Sequence, residues 1–262
     1  MAKLTRQAEQ AHRQACQLVN LHRDLSEDEK QFVLDNYQES TNPAQVLDGA
    51  FFTPSKLALH LEMEVSGPRI IDLCAGIGHL AFACRNTIWE EHGGKPQRQL
   101  VCVERNPDFV QVGRKIVPEA IWRCADVLTL RPNFRPFDCA ISNPPYGRHI
   151  RRATDAPGYD GSLFEYHVIT AAARLARFGT FLVPQTSAPF DFSGVTFRRD
   201  NPSLDYHYFT RTTGIVLDGT STDTTCFDEL WHHRPPTTEI VTCDFTALRI
   251  AASARQLVAA AA

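Results

Sequence analysis

The feature that most constrains the fold is an alternation, from Gly49 onward, of short apolar runs with amphipathic segments. Each apolar run is bounded by Gly, Pro or polar residues, and the segments between runs have the residue spacing of amphipathic helices. The apolar runs are Arg69–Leu73, Leu100–Glu104, Ala120–Cys124, Phe137–Ser142 and Thr180–Val183. The helical segments are Leu80–Trp89, Pro107–Val117 and Leu163–Arg177. This alternation predicts an α/β fold with a doubly wound, mostly parallel, Rossmann-like sheet that binds ligands at the carboxyl ends of its strands.

The chain ahead of this pattern has a different character. Residues from Ala2 to about Tyr37 are predicted to be helical, with a helix start at Leu25–Glu29 and a break at Glu39–Pro43. We therefore predict an N-terminal helical extension over 1–45, the α/β domain over 46–245 and a C-terminal tail over 246–262.

The pattern loosens after Pro184. Leu204–Thr210 and Glu239–Cys243 alternate polar and apolar residues and are predicted to be strands. Gly214–Pro236 is predicted to combine a hairpin with loops, and the Ala-rich end of the chain is predicted to be a helix or a frayed terminus.

Composition excludes several classes of protein. The 262 residues are 43% hydrophobic and 22% charged, as in ordinary globular domains, and the formal net charge of −3 argues against a tight non-specific nucleic-acid binder without excluding a local basic face. The eight cysteines lack zinc spacing and are expected to be reduced core thiols, so no metal is predicted. No apolar run approaches the roughly 20 residues of a membrane span, and no signal peptide is evident. We expect a soluble, cytoplasmic protein of bacterial or phage origin without a membrane partner.

A glycine-containing loop follows the first apolar run, in Asp72-Leu-Cys-Ala-Gly-Ile-Gly-His-Leu80. Gly76 and Gly78 let the backbone turn tightly and approach a ligand, and a helix is predicted to begin just beyond. The loop departs from the G-x-G-x-x-G dinucleotide fingerprint, so a nucleotide-type ligand and a simple structural turn both remain open.

Acidic residues stand at the ends of the next two runs. Glu104 could accept hydrogen bonds from both hydroxyls of a ribose, and Asp126 could accept one from the amino group of an adenine ring that Val127 pads. A solvated glutamate and a turn-capping aspartate are the alternatives.

The most specific feature is Asn143-Pro144-Pro145-Tyr146, at the end of the fourth run. The two prolines lack backbone donors and stiffen the turn, which leaves the Asn143 side-chain oxygen and the Pro144 carbonyl as fixed acceptors. An amino group bound there donates both hydrogens and presents its lone pair to an electrophile, while Tyr146 offers a face on which a base can stack.

These residues together resemble the amino-methyltransferases that modify adenine N6, cytosine N4 or protein glutamine. The resemblance implies S-adenosylmethionine as cofactor, Asn143 to Tyr146 as the catalytic motif, and an adenine or glutamine target in view of the leading Asn. The residues it implies in cofactor binding are Phe52, Thr53, Pro54, Asp72, Cys74, Ala75, Gly76, Gly78, Glu104, Arg105, Asp126, Val127 and Asn143.

The segment Gly49-Ala-Phe-Phe-Thr-Pro54 separates the branches of this family. Read locally, Thr53 is a helix N-cap and Pro54 a first helical residue for Ser55–Val65. The segment is also similar to one that adenine-N6 DNA methyltransferases, including modification subunits of restriction systems, place ahead of the glycine loop. DNA is therefore the favoured partner.

Further residues are predicted to contact the substrate. The resemblance implies an aromatic side chain that stacks on the target base, and Phe164 is preferred over Tyr166. Arg148 and Arg151, in a basic cluster with His149 and Arg152, are predicted either to contact phosphate or to lie in a solvated loop.

Three alternatives stay open: an RNA adenine methyltransferase, a protein-glutamine methyltransferase, and a non-catalytic partner subunit. No separate recognition domain is evident, so a partner chain or a homodimer could supply specificity. The N-terminal helices, Arg85–Gln99, or Asp191–Asn201 with Arg198 and Arg199 could also contact the substrate.

Overall fold

The computed structural model describes residues 5–38, 51–85, 98–131, 135–146, 158–233 and 236–248. The strands are β1 Arg69–Leu73, β2 Gln99–Glu104, β3 Ile121–Cys124, β4 Phe137–Ser142, β5 Ala176–Pro184, β6 Phe190–Asp191, β7 Arg199–Asp200, β8 Asp218–Gly219 and β9 Thr238–Asp244. Seven of them form one sheet in the order β3-β2-β1-β4-β5-β9-β8, and β6 pairs with β7 in a small second sheet. The first five strands of that order are parallel, and β9 is antiparallel to β5 and β8. The predicted fold class is confirmed.

Helices cover both faces of the sheet. They are α1 Arg6–Val19, α2 Glu27–Asn36, α3 Ser55–Glu62, α4 His79–Ala83, α5 Pro107–Ile116, α6 Phe164–Leu175 and α7 Leu204–Thr213. Successive strand residues point to opposite faces, so Ile70 joins the apolar cluster under α1 to α5, while Ile71 joins the cluster under α6 and α7.

The N-terminal extension contains the two helices α1 and α2. Ser26 and Glu29 form a reciprocal capping box at the start of α2, as the sequence around Leu25–Glu29 predicted. Ala15, Val33 and Leu34 are buried in the same cluster as the sheet, so these helices are part of the core packing.

The prediction of a strand at Leu204–Thr210 is wrong, because this segment lies in α7. The Ser203 hydroxyl accepts from the Tyr206 backbone amide, and Gly214 ends the helix in a left-handed conformation. Tyr206 and Phe209 are buried three residues apart, a spacing that fits one face of a helix.

Smaller differences concern other boundaries. Helix α3 ends at Glu62, and its N-cap is Pro54 without a side-chain cap, so the prediction that Thr53 caps this helix is wrong. Within Gly214–Pro236, β8 pairs with β9, and a 3-10 helix occupies Thr224–Leu230. Glu39–Pro43, Trp89 and the chain end after Leu248 lie outside the described residues.

None of the helices in the described ranges is long and apolar enough to cross a bilayer. Those same ranges hold no group of three His, Cys, Asp or Glu side chains that could bind a metal ion.

Candidate functional site

Three carboxylates gather at the carboxyl edge of the sheet. Asp72 lies in β1, Glu104 ends β2, and Asp126 follows β3. Burial raises the pKa of the nearby Cys74 thiol well above its usual value, and the charges of Glu104, Asp72 and Asp126 raise it further. All three acids therefore lie within electrostatic reach of Cys74, as the ends of adjacent parallel strands require.

The glycine loop is held in a tight turn. Cys74, Gly76 and Gly78 have positive φ values of 62°, 56° and 101°. A Cβ atom at Gly76 would lie 3.2 Å from the Phe52 ring, so a larger residue would have to displace this ring slightly and would also be strained by the positive φ.

Glu104 fixes this loop through its carboxylate. Its Oε2 accepts from the Gly76 amide at 2.9 Å and its Oε1 from the Asn106 amide at 2.7 Å. Burial raises the pKa of Glu104, whereas the bonds from Asn106 and Gly76 lower it. Because each carboxylate oxygen can accept more than one bond, acceptor capacity remains for ribose hydroxyls.

Asp72 is the least satisfied acid of the site. Its Oδ2 accepts from the Ala81 amide at 3.2 Å, but its buried Oδ1 has no hydrogen-bond partner in the described chain. Burial raises the pKa of Asp72 well above its ordinary value, and the Glu104 charge adds to the increase. An acceptor of this kind fits a cationic ligand group.

The Asn143 side chain has a defined orientation. Its Nδ2 donates to the Phe51 carbonyl at 2.8 Å and to the Thr53 hydroxyl at 2.9 Å. A carbonyl can only accept, so the amide nitrogen must face Phe51 and the oxygen must face away from it. Thr53 therefore contributes to the orientation of the Asn143 side chain instead of capping a helix. The role of Asn143 Oδ1 as the acceptor for a substrate amine stays a prediction.

Tyr146 lies directly against this amide. Its hydroxyl donates to Asn143 Oδ1, and its ring stacks on Phe51 with centroids 6.1 Å apart. Burial, with a smaller effect from the Glu165 charge, raises the pKa of Tyr146 well above its usual value, so the phenol stays protonated. Because Phe51 covers one face of the ring, a base would stack on the other.

An open pocket of about 250 Å³, a volume that includes solvent at its mouth, lies among several of these groups. Of the predicted site residues its lining includes Phe52, Thr53, Asp72, Cys74, Ala75, Gly76 and Asn143. The predicted site residues outside this lining include Pro54, Gly78, Glu104, Arg105, Asp126, Val127 and Tyr146. Arg105 is exposed, and Asp126 accepts from the Leu128 amide at the start of a 3-10 helix. Pro144 is buried and Pro145 half-buried beside Asn143.

The two aromatic candidates at the start of α6 differ in burial. Tyr166 is fully buried, donates to the Ser187 carbonyl and stacks on Phe209 at 4.3 Å, so it belongs to the core. Phe164 is half-buried, and its neighbour Glu165 influences the pKa of Tyr146, which places the start of α6 near the catalytic motif. Arg148 and Arg151 lie outside the described residues.

The sequence interpretation missed Phe51, His79 and Trp231. His79 Nε2 lies 2.9 Å from the Leu34 carbonyl, and its ring is 5.2 Å from that of Phe52, so it links α2 to the pocket. Trp231 packs edge-on against Phe51 at 6.5 Å. The repeated Phe in Phe51-Phe52 was an available signal for Phe51, whereas nothing local marks Trp231.

No protein-family model and no curated protein matches the chain. Solved structures do resemble it. A candidate RNA methyltransferase from Pyrococcus horikoshii is 16% identical with a TM-score of 0.51, over 83% of this chain and 97% of that one. A candidate class I S-adenosylmethionine-dependent methyltransferase from Listeria monocytogenes is 13% identical with a TM-score of 0.54, over 87% and 69%.

A modification subunit of a candidate type I restriction enzyme from Vibrio vulnificus is 12% identical with a TM-score of 0.54 over 87% of this chain. The match spans only 51% of that subunit, about half its length. At these identities the likeness establishes the fold, which is the Rossmann-like fold of S-adenosylmethionine-dependent methyltransferases.

Proposed function

We propose that this protein transfers a methyl group from S-adenosylmethionine to the N6 amino group of adenine in DNA. The observation that carries the proposal is the Asn143 side chain, whose Nδ2 bonds to the Phe51 carbonyl and the Thr53 hydroxyl. Its oxygen accepts from the Tyr146 hydroxyl and has capacity to accept one more hydrogen bond. This acceptor stands at the end of β4, beside the strand ends that carry the acids.

The pocket suits this cofactor chemically. S-adenosylmethionine carries a positive ammonium and an electrophilic methyl on a positive sulfonium, and the unpartnered Asp72 Oδ1 fits a cationic group. Glu104 has acceptor capacity for ribose hydroxyls, and Asp126 and Val127 would flank the adenine ring. Phe52, Thr53 and the glycine loop would line the methionine end.

The protein's own groups then act on the amine. Asn143 Oδ1 and the Pro144 carbonyl accept its two hydrogens, which withdraws the nitrogen lone pair from conjugation and directs it at the methyl. The base leaves its stack at a cost of a few kcal/mol and rests on the free face of Tyr146, with Phe164 as the second aromatic. Positioning and electrostatics supply the acceleration, and the proton can leave after transfer.

DNA is favoured over RNA by the Phe51-Phe52-Thr53-Pro54 segment, which is similar to that of adenine-N6 DNA methyltransferases. RNA is the second candidate, because one solved structure of which this chain spans 97% is named as a candidate RNA methyltransferase. A restriction-type partner subunit or a homodimer would be a further component of the DNA reaction.

The test is methyl transfer from radiolabelled S-adenosylmethionine to unmethylated duplex DNA, total RNA and protein in parallel, followed by nucleoside analysis. N6-methyladenine in DNA is expected. Methyl label in RNA or in protein glutamine would mean that RNA or protein, rather than DNA, is the substrate. Cofactor binding without any methyl transfer would favour the role of a non-catalytic partner subunit.

Asn143→Ala sharpens this test. We expect it to abolish transfer while cofactor binding stays largely intact, and Asn20→Ala, at the exposed end of α1, serves as the matched control. Near-normal turnover by Asn143→Ala would contradict the assignment.

A further inference from the structure

An exposed aromatic side chain stands on the hairpin formed by β6 and β7, residues 190–200. Phe197 is 81% exposed, although burying a side chain of this size is worth about 2 kcal/mol. Isolated exposed apolar residues are common, so the exposure of Phe197 indicates a binding role only if the surrounding structure also favours one.

The base of the hairpin is held firmly. The buried Glu239 carboxylate accepts four hydrogen bonds, from the Gln185 side chain, the Phe192 amide, and the Ser193 amide and hydroxyl, all between 2.7 and 2.9 Å. Phe190 is fully buried. A buried charge bonded in this way defines the hairpin's position, so Phe197 is displayed from a fixed base.

The hairpin lies on the substrate side of the proposed reaction. The cofactor acids occupy the ends of β1 to β3, on one side of Asn143 at the end of β4. The hairpin follows β5 on the other side, where Pro184 pairs with Thr238 at the start of β9. Arg198 in the hairpin bonds to Asp218 in β8. Strand β8 is the third strand from β4 in the sheet, so the two strands are about 14 Å apart. One turn of duplex DNA, roughly 34 Å, spans that distance easily.

Two arginines follow the aromatic residue along the chain. Arg198 pairs with Asp218, itself 79% exposed, at 3.3 Å, and Arg199, 67% exposed, pairs with Asp191 at 2.9 Å. The exposed pair of Arg198 with Asp218 contributes little to stability, although the Arg198 guanidinium also lies 4.2 Å from the centre of the Phe190 ring. Arg199 is held by the buried Asp191, and its remaining donors can bond a phosphate from this fixed position. An exposed aromatic ring followed by two cations is suited to a nucleic-acid duplex.

We propose that the 190–200 hairpin contacts the duplex DNA substrate, with Phe197 inserted into the base stack at the extruded adenine and Arg198 and Arg199 on the adjacent phosphates. This role rests on the proposed function. It assigns a substrate contact to a segment outside the candidate cofactor pocket.

The test compares Phe197→Ala with the wild type on two substrates, one duplex with a paired target adenine and the same duplex with that adenine opposite an abasic site. Opening a base pair costs a few kcal/mol, so we expect transfer to the paired substrate to fall roughly tenfold and transfer to the unpaired one to stay near normal. Met63→Ala, at another large exposed apolar residue that follows α3, is the control and should leave both rates unchanged.

Each other outcome has a definite meaning. Equal losses on both substrates, or no loss on either, would overturn the insertion of Phe197. A wild type that methylates neither DNA would overturn the proposed function itself, and this role with it. The double substitution Arg198→Gln and Arg199→Gln tests the phosphate contacts. The slope of the logarithm of the duplex binding constant against the logarithm of the salt concentration should become shallower by about two. An unchanged slope would show that these arginines do not contact phosphates.

Discussion

At the residue scale, the proposed acceptor amide owes its orientation to a segment that also lines the pocket. Asn143 bonds to Phe51 and Thr53, which are 92 and 90 positions away along the chain. Both partners line the pocket. The pocket proposed for the cofactor and the group proposed to receive the amine are therefore joined by hydrogen bonds.

Thr53→Val tests this link. The substitution keeps the shape of the side chain and removes the hydroxyl, which frees the amide to rotate. We expect kcat to fall roughly fivefold, since one hydrogen bond is worth about 1 kcal/mol. Cofactor Kd should change much less, and Thr53→Ser should restore kcat. A change confined to cofactor Kd would mean that Thr53 only lines the pocket.

We expect Asp72→Asn to weaken cofactor binding and to raise the melting temperature of the cofactor-free protein at neutral pH. Burial raises the pKa of Asp72 in the folded protein. The protonated carboxyl of Asp72 contributes fully to the stability of the folded protein below its unfolded pKa of about 4. This contribution is lost as the pH rises through the pKa of Asp72 in the folded protein. The cofactor-free variant should therefore melt a few degrees higher at pH 7 and gain nothing near pH 4.

The same variant should bind S-adenosylmethionine at least about tenfold more weakly, because the acceptor for a cationic group loses its charge. Calorimetric titration and thermal unfolding at the two pH values measure both effects. Unchanged affinity would exclude Asp72 as a cofactor ligand.

At the element scale, Leu204–Thr213 shows how alternation misleads. Tyr206 and Tyr208 alternate with polar residues, as in a strand, but the buried pair is Tyr206 and Phe209. Ser203 before the segment and Gly214 after it are helix-boundary signals and were the better guide.

Ser203→Ala tests this element. Loss of the cap to the Tyr206 amide, 3.2 Å long, should lower the free energy of unfolding by about 1 kcal/mol. Ser221→Ala, at an exposed position outside any helix, should change it by much less. Chemical denaturation measures both, and equal small effects would argue against the cap.

At the scale of the whole molecule, the N-terminal helices pack as part of the core and touch the site. Lys115 in α5 donates to the Leu21 and Arg23 carbonyls, and Ser55 donates to Asp35. Arg85 pairs with Glu27 at 2.7 Å, and that bond is the largest cause of the lowered Glu27 pKa of about 2.

Leu34→Ala should therefore destabilise the entire protein. The side chain is 1% exposed, and its truncation should cost about 2–4 kcal/mol in a single unfolding transition. Leu21→Ala, at a partly exposed position, is the control. A separate early transition in the variant would instead mean that the N-terminal helices unfold independently.

The sequence by itself determined the parallel strands, the helices between them and the positions of Asp72, Glu104 and Asn143 at strand ends. These follow from local periodicity and from residues adjacent along the chain. The tertiary structure alone decided the antiparallel β9, the partners of Asn143, and the contact of Trp231 with Phe51. Those features depend on groups brought together from distant parts of the chain, and packing energy rather than local preference selects them.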